Sequence, residues 1–324
     1  MSDSVSKFSC FNSVPWKLVR HREIIKDGKI KPLHIRIYPT NKCNAQCSFC
    51  CYKDDDRQSE LTTFELRSII YQFKGLGTEA ITLSGGGDPC VHPGIRDAIV
   101  YAYRKRIHTG LITNGIEWAR DKYKSDSFMD MNRTLKWCRV SVIDTESGRY
   151  NTNIIKTISD RLSDVAIGVS FVVTKNANFG TAMQICEGIK NIPNITHVKF
   201  IQDSYNLQGG SDIALCKIEE ICSKITDKGI YIHRDIFEHG AEKCQISLLK
   251  PVIAADGFVY PCCDSQHAID DVYYLPDSFK LCHWRDFGDL KKEFNGSKCL
   301  KCYYDNYNHF LNQLTTQEEH DKFL

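Results

Sequence analysis

The sequence predicts an α/β fold on a parallel sheet, and three observations point to it. From Leu33 to about His233, short apolar or alternating runs are each followed by a stretch with apolar residues at helical spacing. Six or so such strand–helix units in succession imply right-handed crossovers and a parallel sheet, either doubly wound or curled into a partial barrel. The chemically notable segments directly follow strands, which gathers them beyond the strands' carboxyl ends, where such folds keep their active groups.

Taken in order, residues 1–32 form a leader without strong periodicity, too short for a domain of its own. Leu33–Tyr38 alternates apolar and polar, and Pro39 ends it. A Ser/Thr-type cap opens the next helix, with Leu66, Ile69, Ile70 and Phe73 as its stripe and Gly75 and Gly77 at its end. Glu79–Ser84 is the second strand, Gly85-Gly86-Gly87-Asp88-Pro89 a sharp turn, and a helix runs from about Gly94 to Lys105. Thr109–Thr113 is the third strand, ended by Asn114-Gly115, with a helix somewhere in Glu117–Leu135. Trp137–Ile143 is the fourth, followed by Asp144, and Asn153–Leu162 is helical. Val165–Val173 is the fifth, with Val165, Ile167, Val169 and Phe171 on one face. A helix over Gly180–Ile192 carries the stripe Met183, Ile185, Ile189, Ile192. His197–Ile201 is the sixth strand, a helix runs from about Ser211 to Thr226, and Ile230–His233 is one more short strand. The rhythm breaks near Ile236, and Val252–Tyr260 reads as a β-hairpin turning at Asp256-Gly257.

Composition narrows the class. The chain of 324 residues is 42% hydrophobic and 25% charged, ordinary for a soluble globular protein. A formal net charge of +2 gives no sign of nucleic acid, and Arg104-Lys105-Arg106 is too short for a binding stripe. The first ten residues lack a signal-peptide core, and no apolar run is long enough to span a bilayer, so a cytoplasmic protein with no membrane partner is expected. Sixteen cysteines in such a chain point to metal or redox chemistry. Cys10, Cys138, Cys186, Cys216 and Cys222 lie alone in apolar patterns and read as small core residues.

The loop after the first strand carries Cys43, Cys47 and Cys50, spaced C-x3-C-x2-C, with Phe49 before the third. Three thiolates on one loop can hold three irons of a cubic iron–sulfur cluster and leave the fourth open, whereas an electron-carrying cluster takes four. A zinc knuckle lacking a ligand, or buried thiols, is the alternative.

With these residues in view, the chain resembles the radical S-adenosylmethionine (radical SAM) superfamily from about Leu33 to Ile201. The cysteine loop matches, Gly85-Gly86-Gly87-Asp88 looks like the family's glycine-rich motif with Asp88 where glutamate is commoner, and Val140–Asp144 is similar to its fourth-strand segment. The resemblance implies a partial (β/α)6 TIM-like barrel over 33–235. It implies a [4Fe-4S] cluster on Cys43, Cys47 and Cys50 with S-adenosylmethionine at the open iron. Phe49, the three glycines and Asp88 would serve that cofactor, and Ser141 and Asp144 its ribose. The tail, Cys244, Gly257-x4-Cys262 and Cys299-x2-Cys302, is similar to the family's twitch subdomain, a shortened SPASM-like unit. That implies a small C-terminal β-hairpin/helix iron–sulfur subdomain over 236–324, with an auxiliary [4Fe-4S] cluster on Cys244, Cys262, Cys299 and Cys302. A structural zinc site is the alternative, and Cys263 or Cys282 competes for a ligand position.

The implied chemistry is reductive cleavage of S-adenosylmethionine and hydrogen abstraction by the resulting radical, with electrons from an external flavodoxin- or ferredoxin-like donor. Oxidation of the substrate is the favoured outcome. The alternatives are epimerisation, with Cys90 as a hydrogen donor, and isomerisation or cyclisation, including work on a peptide or nucleic-acid base. A non-catalytic zinc or iron–sulfur module is the reading from another class. The short leader leaves no room for a leader-peptide domain and favours a small-molecule or nucleotide-like substrate. Among the polar residues of late strands, Lys199 and Arg234 are the candidates for substrate binding or proton transfer, with Arg36, Gln202, Asp203 and His233 nearby in the pattern.

Overall fold

The computed structural model describes residues 21, 23, 25–26, 29–119, 127–143, 152–174, 179–203, 211–233, 240–265 and 275–315. Its centre is one ten-stranded sheet. Seven parallel strands follow one another in chain order: β1 (His34–Ile37), β2 (Ala80–Leu83), β3 (His108–Thr113), β4 (Leu135–Val142), β5 (Ala166–Val173), β6 (Ile195–Gln202) and β7 (Gly229–His233). Helices fill the crossovers: α1 (Thr63–Gly75), α2 (Ile95–Arg104), α3 (Ile116–Ala119), α4 (Ser127–Thr134), α5 (Thr152–Arg161), α6 (Phe179–Ile189) and α7 (Ser211–Ile225). This is the partial TIM-like barrel, with the short run at Ile230–His233 as a full seventh partner, in register from His197↔Gly229 to Ile201↔His233.

Local chemistry sets these limits. Thr62 caps α1 in a complete capping box: its hydroxyl accepts from Glu65 N–H while Glu65 Oε2 accepts from Thr62 N–H. Leu66, Ile69, Ile70 and Phe73 are all fully buried, and they press α1 on the sheet. The strands alternate in the same way. Ile35 and Ile37, Val140 and Val142, Ile167 and Val169, and Val198 and Phe200 face the helices, all buried. Arg36, Arg139, Ser141, Ser170 and Lys199 alternate with them and take the opposite, inner face.

Two expectations about the core are corrected. On α6, Met183 is 40% exposed, and the buried stripe is Ala182, Ile185, Cys186 and Ile189. That i, i+3, i+4, i+7 set leaves Met183 one position off the apolar arc. Cys216 on α7 is exposed, next to the buried Leu215, whereas Cys138, Cys186 and Cys222 are core residues as expected. Cys10 lies outside the described residues.

The tail joins the same sheet. A hairpin of β8 (Val252–Ile253) and β9 (Phe258–Tyr260) turns at Asp256-Gly257, where Gly257 has φ +81°, a conformation that favours glycine. β8 pairs parallel to β1, Val252 against Arg36 and Ile253 against Ile37, and β10 (Cys282–His283) adds beyond β9. A short helix α8 (Ile246–Leu249) and α9 (Asp305–Thr315) complete it. At the other edge of the sheet, the Tyr303 ring packs at a tilt of 46° on His233 of β7, 4.8 Å between centroids. The tail thus touches both the first and the last barrel strand.

Candidate active site

The cysteine loop leaves β1 and returns to it. Thr40 and Glu60 close its base as an antiparallel bridge, and Leu61 N–H donates to Pro39 O at 2.9 Å. Within the loop, Cys50 N–H donates to Cys47 O at 3.1 Å, a turn that brings these two close. Cys43 is exposed and Cys47, Cys50 and Cys51 are half-buried, as is Phe49. Two donors approach the sulfurs: Asn114 Nδ2 at 3.7 Å from Cys43 Sγ and Arg57 Nη2 at 3.9 Å from Cys50 Sγ.

The glycine turn after β2 lies on this loop. Gly87 N–H donates to Thr40 O and Asp88 N–H to Lys42 O, both at 3.0 Å. A Cβ on Gly87 would collide with the Lys42 carbonyl, and one on Gly86 with Asn41 Oδ1. The missing side chains let the turn approach the chain's own cysteine loop.

Asp88 ties the two together. It is 4% exposed, and its carboxylate accepts from Cys90 N–H (2.9 Å), Asn114 N–H (2.6 Å) and the Thr113 hydroxyl (2.9 Å). A carboxylate offers about four acceptor positions, so these donors take most of them. Burial pushes its pKa above the usual carboxylate range, while the Asn114, Cys90 and Thr113 donors pull it back. Cys90 itself is fully buried in the core beneath this turn.

Sequence reasoning missed the polar chain beside it. Asn114 Nδ2 donates to Asn44 Oδ1 at 2.8 Å, and Asn44 Nδ2 to Glu117 Oε1 at 3.1 Å, with Glu117 buried at 3%. The signal available was the pair Asn41 and Asn44 bracketing Cys43. Next to Asn114, a pocket of about 270 Å³ including its mouth is lined by Ile116, Val140–Ile143, Ile154 and Ile155. Ser141 also lines it, and its hydroxyl lies 3.3 Å from Ser170 Oγ on the inner face. Asp144 and Arg234 lie outside the described residues. Lys199 stands on the inner face in register with Ser170 and Tyr231. Burial, then Arg139 and Lys199, push His197 down to about 4, so these three side chains share one neighbourhood.

In the tail, Cys244, Cys262, Cys299 and Cys302 all line one pocket of about 380 Å³ including its mouth. Cys263 and Cys282 are not among its lining residues. Cys263 Sγ instead meets Tyr304 Oη at 3.3 Å, and Cys282 sits on β10 opposite Val259. Asn308 Nδ2 stands 3.7 Å from Cys244 Sγ. Burial pushes the Cys244 thiol up to about 11 and those of Cys299 and Cys302 to about 12, and Cys244 adds to the last two.

Both sets fit clusters. Among the described residues, no three His, Cys, Asp or Glu side chains converge tightly enough to share one ion. Cubane thiolates each bond a different iron, so a cubane does not require its ligands to converge on one point. The first set has amide and guanidinium donors at its sulfurs, and the second has four cysteines around one pocket. Among the described residues no helix is long and apolar enough to cross a membrane.

Residues 37–128 match the family model of the Radical SAM superfamily. The GTP 3',8-cyclase of Tolumonas auensis is 39% identical over 67 residues, 19% of this chain and 20% of its own length. That of Photorhabdus laumondii is 35% identical over 106 residues, 31% of this chain and 32% of its own. The match thus spans a fifth to a third of these relatives. Streptococcus suis SuiB bound to its precursor peptide SuiA superposes with a TM-score of 0.61 at 14% identity, covering 94% of this chain and 78% of SuiB. At that identity the likeness is one of fold. The stretch that matches the Radical SAM superfamily model, residues 37–128, is the one that carries the cysteine loop and the glycine turn.

Proposed function

We propose that the chain is a radical SAM enzyme with a barrel over 33–235 and a twitch-like unit over 236–324. Cys43, Cys47 and Cys50 would hold a [4Fe-4S] cluster with S-adenosylmethionine on its open iron, and Cys244, Cys262, Cys299 and Cys302 an auxiliary [4Fe-4S] cluster. The observation that carries this is the meeting of the glycine turn and Asn114 with a loop bearing three cysteines. When bound, the cluster and S-adenosylmethionine supply a 5′-deoxyadenosyl radical that removes a hydrogen atom from substrate carbon.

The chain's own residues bind and orient. The carbon walls at Val140, Ile154 and Ile155 suit an adenine face, and the Ser141 hydroxyl and the carboxylate of Asp144 suit ribose hydroxyls. Phe49 shields the cysteine loop. Gly85, Gly86 and Gly87 would offer the turn's remaining backbone groups to the methionine amino and carboxylate groups, since Gly87 N–H and Asp88 N–H already bond the cysteine loop. Asp88 first clamps the turn and has one acceptor position left for an ammonium. Lys199, on the inner face, and Arg234 would hold or protonate the substrate. An external flavodoxin- or ferredoxin-like protein would supply electrons.

For the fate of the substrate radical, the four cysteines around the tail pocket support oxidation of a small molecule. The cyclase relatives support a second reading, ring closure on a nucleotide-like substrate. Full burial of Cys90 argues against it as a hydrogen donor. The test is anaerobic reconstitution and reduction with S-adenosylmethionine. The expected result is 5′-deoxyadenosine, with deuterium transferred into it from a labelled substrate. Stoichiometric zinc and no nucleoside release would sink the proposal in favour of a structural metal module.

A further inference from the structure

The four tail cysteines come from segments far apart in sequence, and α9 clasps the segment that carries Cys244. Asn308 and Asn312 stand one turn apart on α9 and share a face. Asn312 Nδ2 donates to Lys243 O at 3.0 Å, and its Oδ1 accepts from Gln245 Nε2 at 2.9 Å. These bonds hold the residues on either side of Cys244. Asn308 is 0% exposed and lines the four-cysteine pocket. Its Oδ1 accepts from Ile246 N–H at 3.0 Å. That bond decides which way the amide points, because a backbone N–H needs the oxygen opposite it and not the NH2. Nδ2 is therefore the atom that stands 3.7 Å from Cys244 Sγ.

The Cys244 backbone is held by other groups. Its N–H donates to Phe294 O at 2.9 Å, and its carbonyl accepts from Ser247 Oγ at 2.6 Å. What Asn308 adds is a contact to the sulfur. A buried carboxamide is unfavourable unless its donors are used. The Asn308 NH2 has two hydrogens, and Cys244 Sγ is its one acceptor among the described residues. A neutral thiol is a weak acceptor. Ionised sulfur makes the bond charge-assisted and roughly twice as strong, so this amide suits metal-bound sulfur better than a free thiol.

We propose that Asn308 is the donor that orients the Cys244 sulfur as a ligand of the auxiliary cluster and makes that cluster easier to reduce. This rests on the auxiliary-cluster reading above. One-electron reduction by an added reductant puts one more negative charge on the cluster and its thiolates and breaks no bond. An N–H directed at a ligand sulfur strengthens as that charge grows, which raises the potential. Asn308 acts through Cys244 and is a positioning residue; it touches no substrate atom.

The test is a substrate-free redox titration of the reconstituted full chain, following each cluster by electron paramagnetic resonance. Asn308→Leu keeps the size of the side chain and removes the donor. Its auxiliary midpoint falls, with reduction disfavoured by up to about tenfold, or about 59 mV for one electron, while the midpoint of the first cluster holds. Asn312→Ala loosens the same segment without touching the sulfur and leaves the auxiliary midpoint at the wild-type value. An unchanged auxiliary midpoint in Asn308→Leu with iron content intact, or an equal shift in Asn312→Ala, overturns the inference and leaves the function standing. If Asn308→Leu loses the tail cluster, wild-type protein carries the test, with nitrogen-15 in its asparagine side chains. Asn308 is the one asparagine among the described residues that line the pocket. Pulsed electron paramagnetic resonance of the reduced tail signal then finds a coupled nitrogen-15, and its absence overturns the inference. Wild-type protein with a single redox-active cluster overturns the auxiliary-cluster reading and this inference together.

Discussion

Replacing Asp88 by asparagine separates a clamp from a ligand. In the native site one carboxylate oxygen accepts from Cys90 N–H and the other from Asn114 N–H, with the Thr113 hydroxyl within 2.9 Å of both. An amide keeps one of those oxygens and turns the other into an NH2. Whichever way it is oriented, one buried backbone N–H then faces a donor. The loss is one hydrogen bond to a charged group, about 1.5–3 kcal/mol, together with an unsatisfied buried donor, about 1–3 kcal/mol. Relief of the buried carboxylate's desolvation offsets part of this. A net destabilisation of about 2–3 kcal/mol follows, or roughly one and a half to two decades in the folded-to-unfolded ratio. Urea unfolding of the reconstituted protein, followed through tryptophan fluorescence, reads it, since Trp118 is 1% exposed and its N–H bonds Gly115 O close by. An unfolding midpoint equal to wild type, combined with lost S-adenosylmethionine binding, would refute the clamp and make Asp88 a ligand group only.

Other outcomes follow from the same geometry. Gly87→Ala drives a methyl into the Lys42 carbonyl and should strip iron from the first cluster while sparing the auxiliary one; iron analysis and electron paramagnetic resonance together would reveal a full first-cluster signal if this is wrong. Cys50→Ala should abolish S-adenosylmethionine cleavage and Cys51→Ala should keep it, with equal loss from both meaning that the ligand register is misassigned. Burial raises the Asp55 carboxyl to about 6, against the Leu275 N–H bond that lowers it. A raised folded value favours the neutral form, so the stabilisation is full below the unfolded value of about 3.9 and is lost as pH rises through about 6. Asp55→Asn should therefore gain stability relative to wild type between about pH 4 and 7, and a flat difference in urea midpoints across that range would contradict this.

The barrel was legible because each strand and helix carries its own period. Leu66, Ile69, Ile70 and Phe73, or Val165, Ile167, Val169 and Phe171, mark buried faces without knowledge of their partners. The first cysteine loop stood out for a similar reason, since Cys43, Cys47 and Cys50 are local in sequence, whereas the tail cysteines, spread from Cys244 to Cys302, were grouped only by the resemblance. What could not be read were contacts between distant segments. Pairing of Val252 with Arg36 depends on how the tail folds back over the sheet's edge. The glycine turn's contact with Asn41 and Lys42, and the Asn44–Glu117 bond, likewise need the third dimension. Met183 misled because one apolar residue beside a stripe has the same composition signal as one within it. The resemblance assigns Asp88 to the cofactor, and the Cys90, Thr113 and Asn114 donors that already point at it come into view only in the structure.

The most direct test of the whole account is the electron paramagnetic resonance spectrum of reduced, reconstituted protein before and after S-adenosylmethionine is added. Cys299→Ala identifies which signal belongs to the tail. On the proposed reading, three thiolates at Cys43, Cys47 and Cys50 would leave an iron open to the added molecule, and four at the tail would leave none. The account predicts that the first signal changes on addition and the second does not. A spectrum unchanged in both, or changed in the tail signal alone, would contradict it.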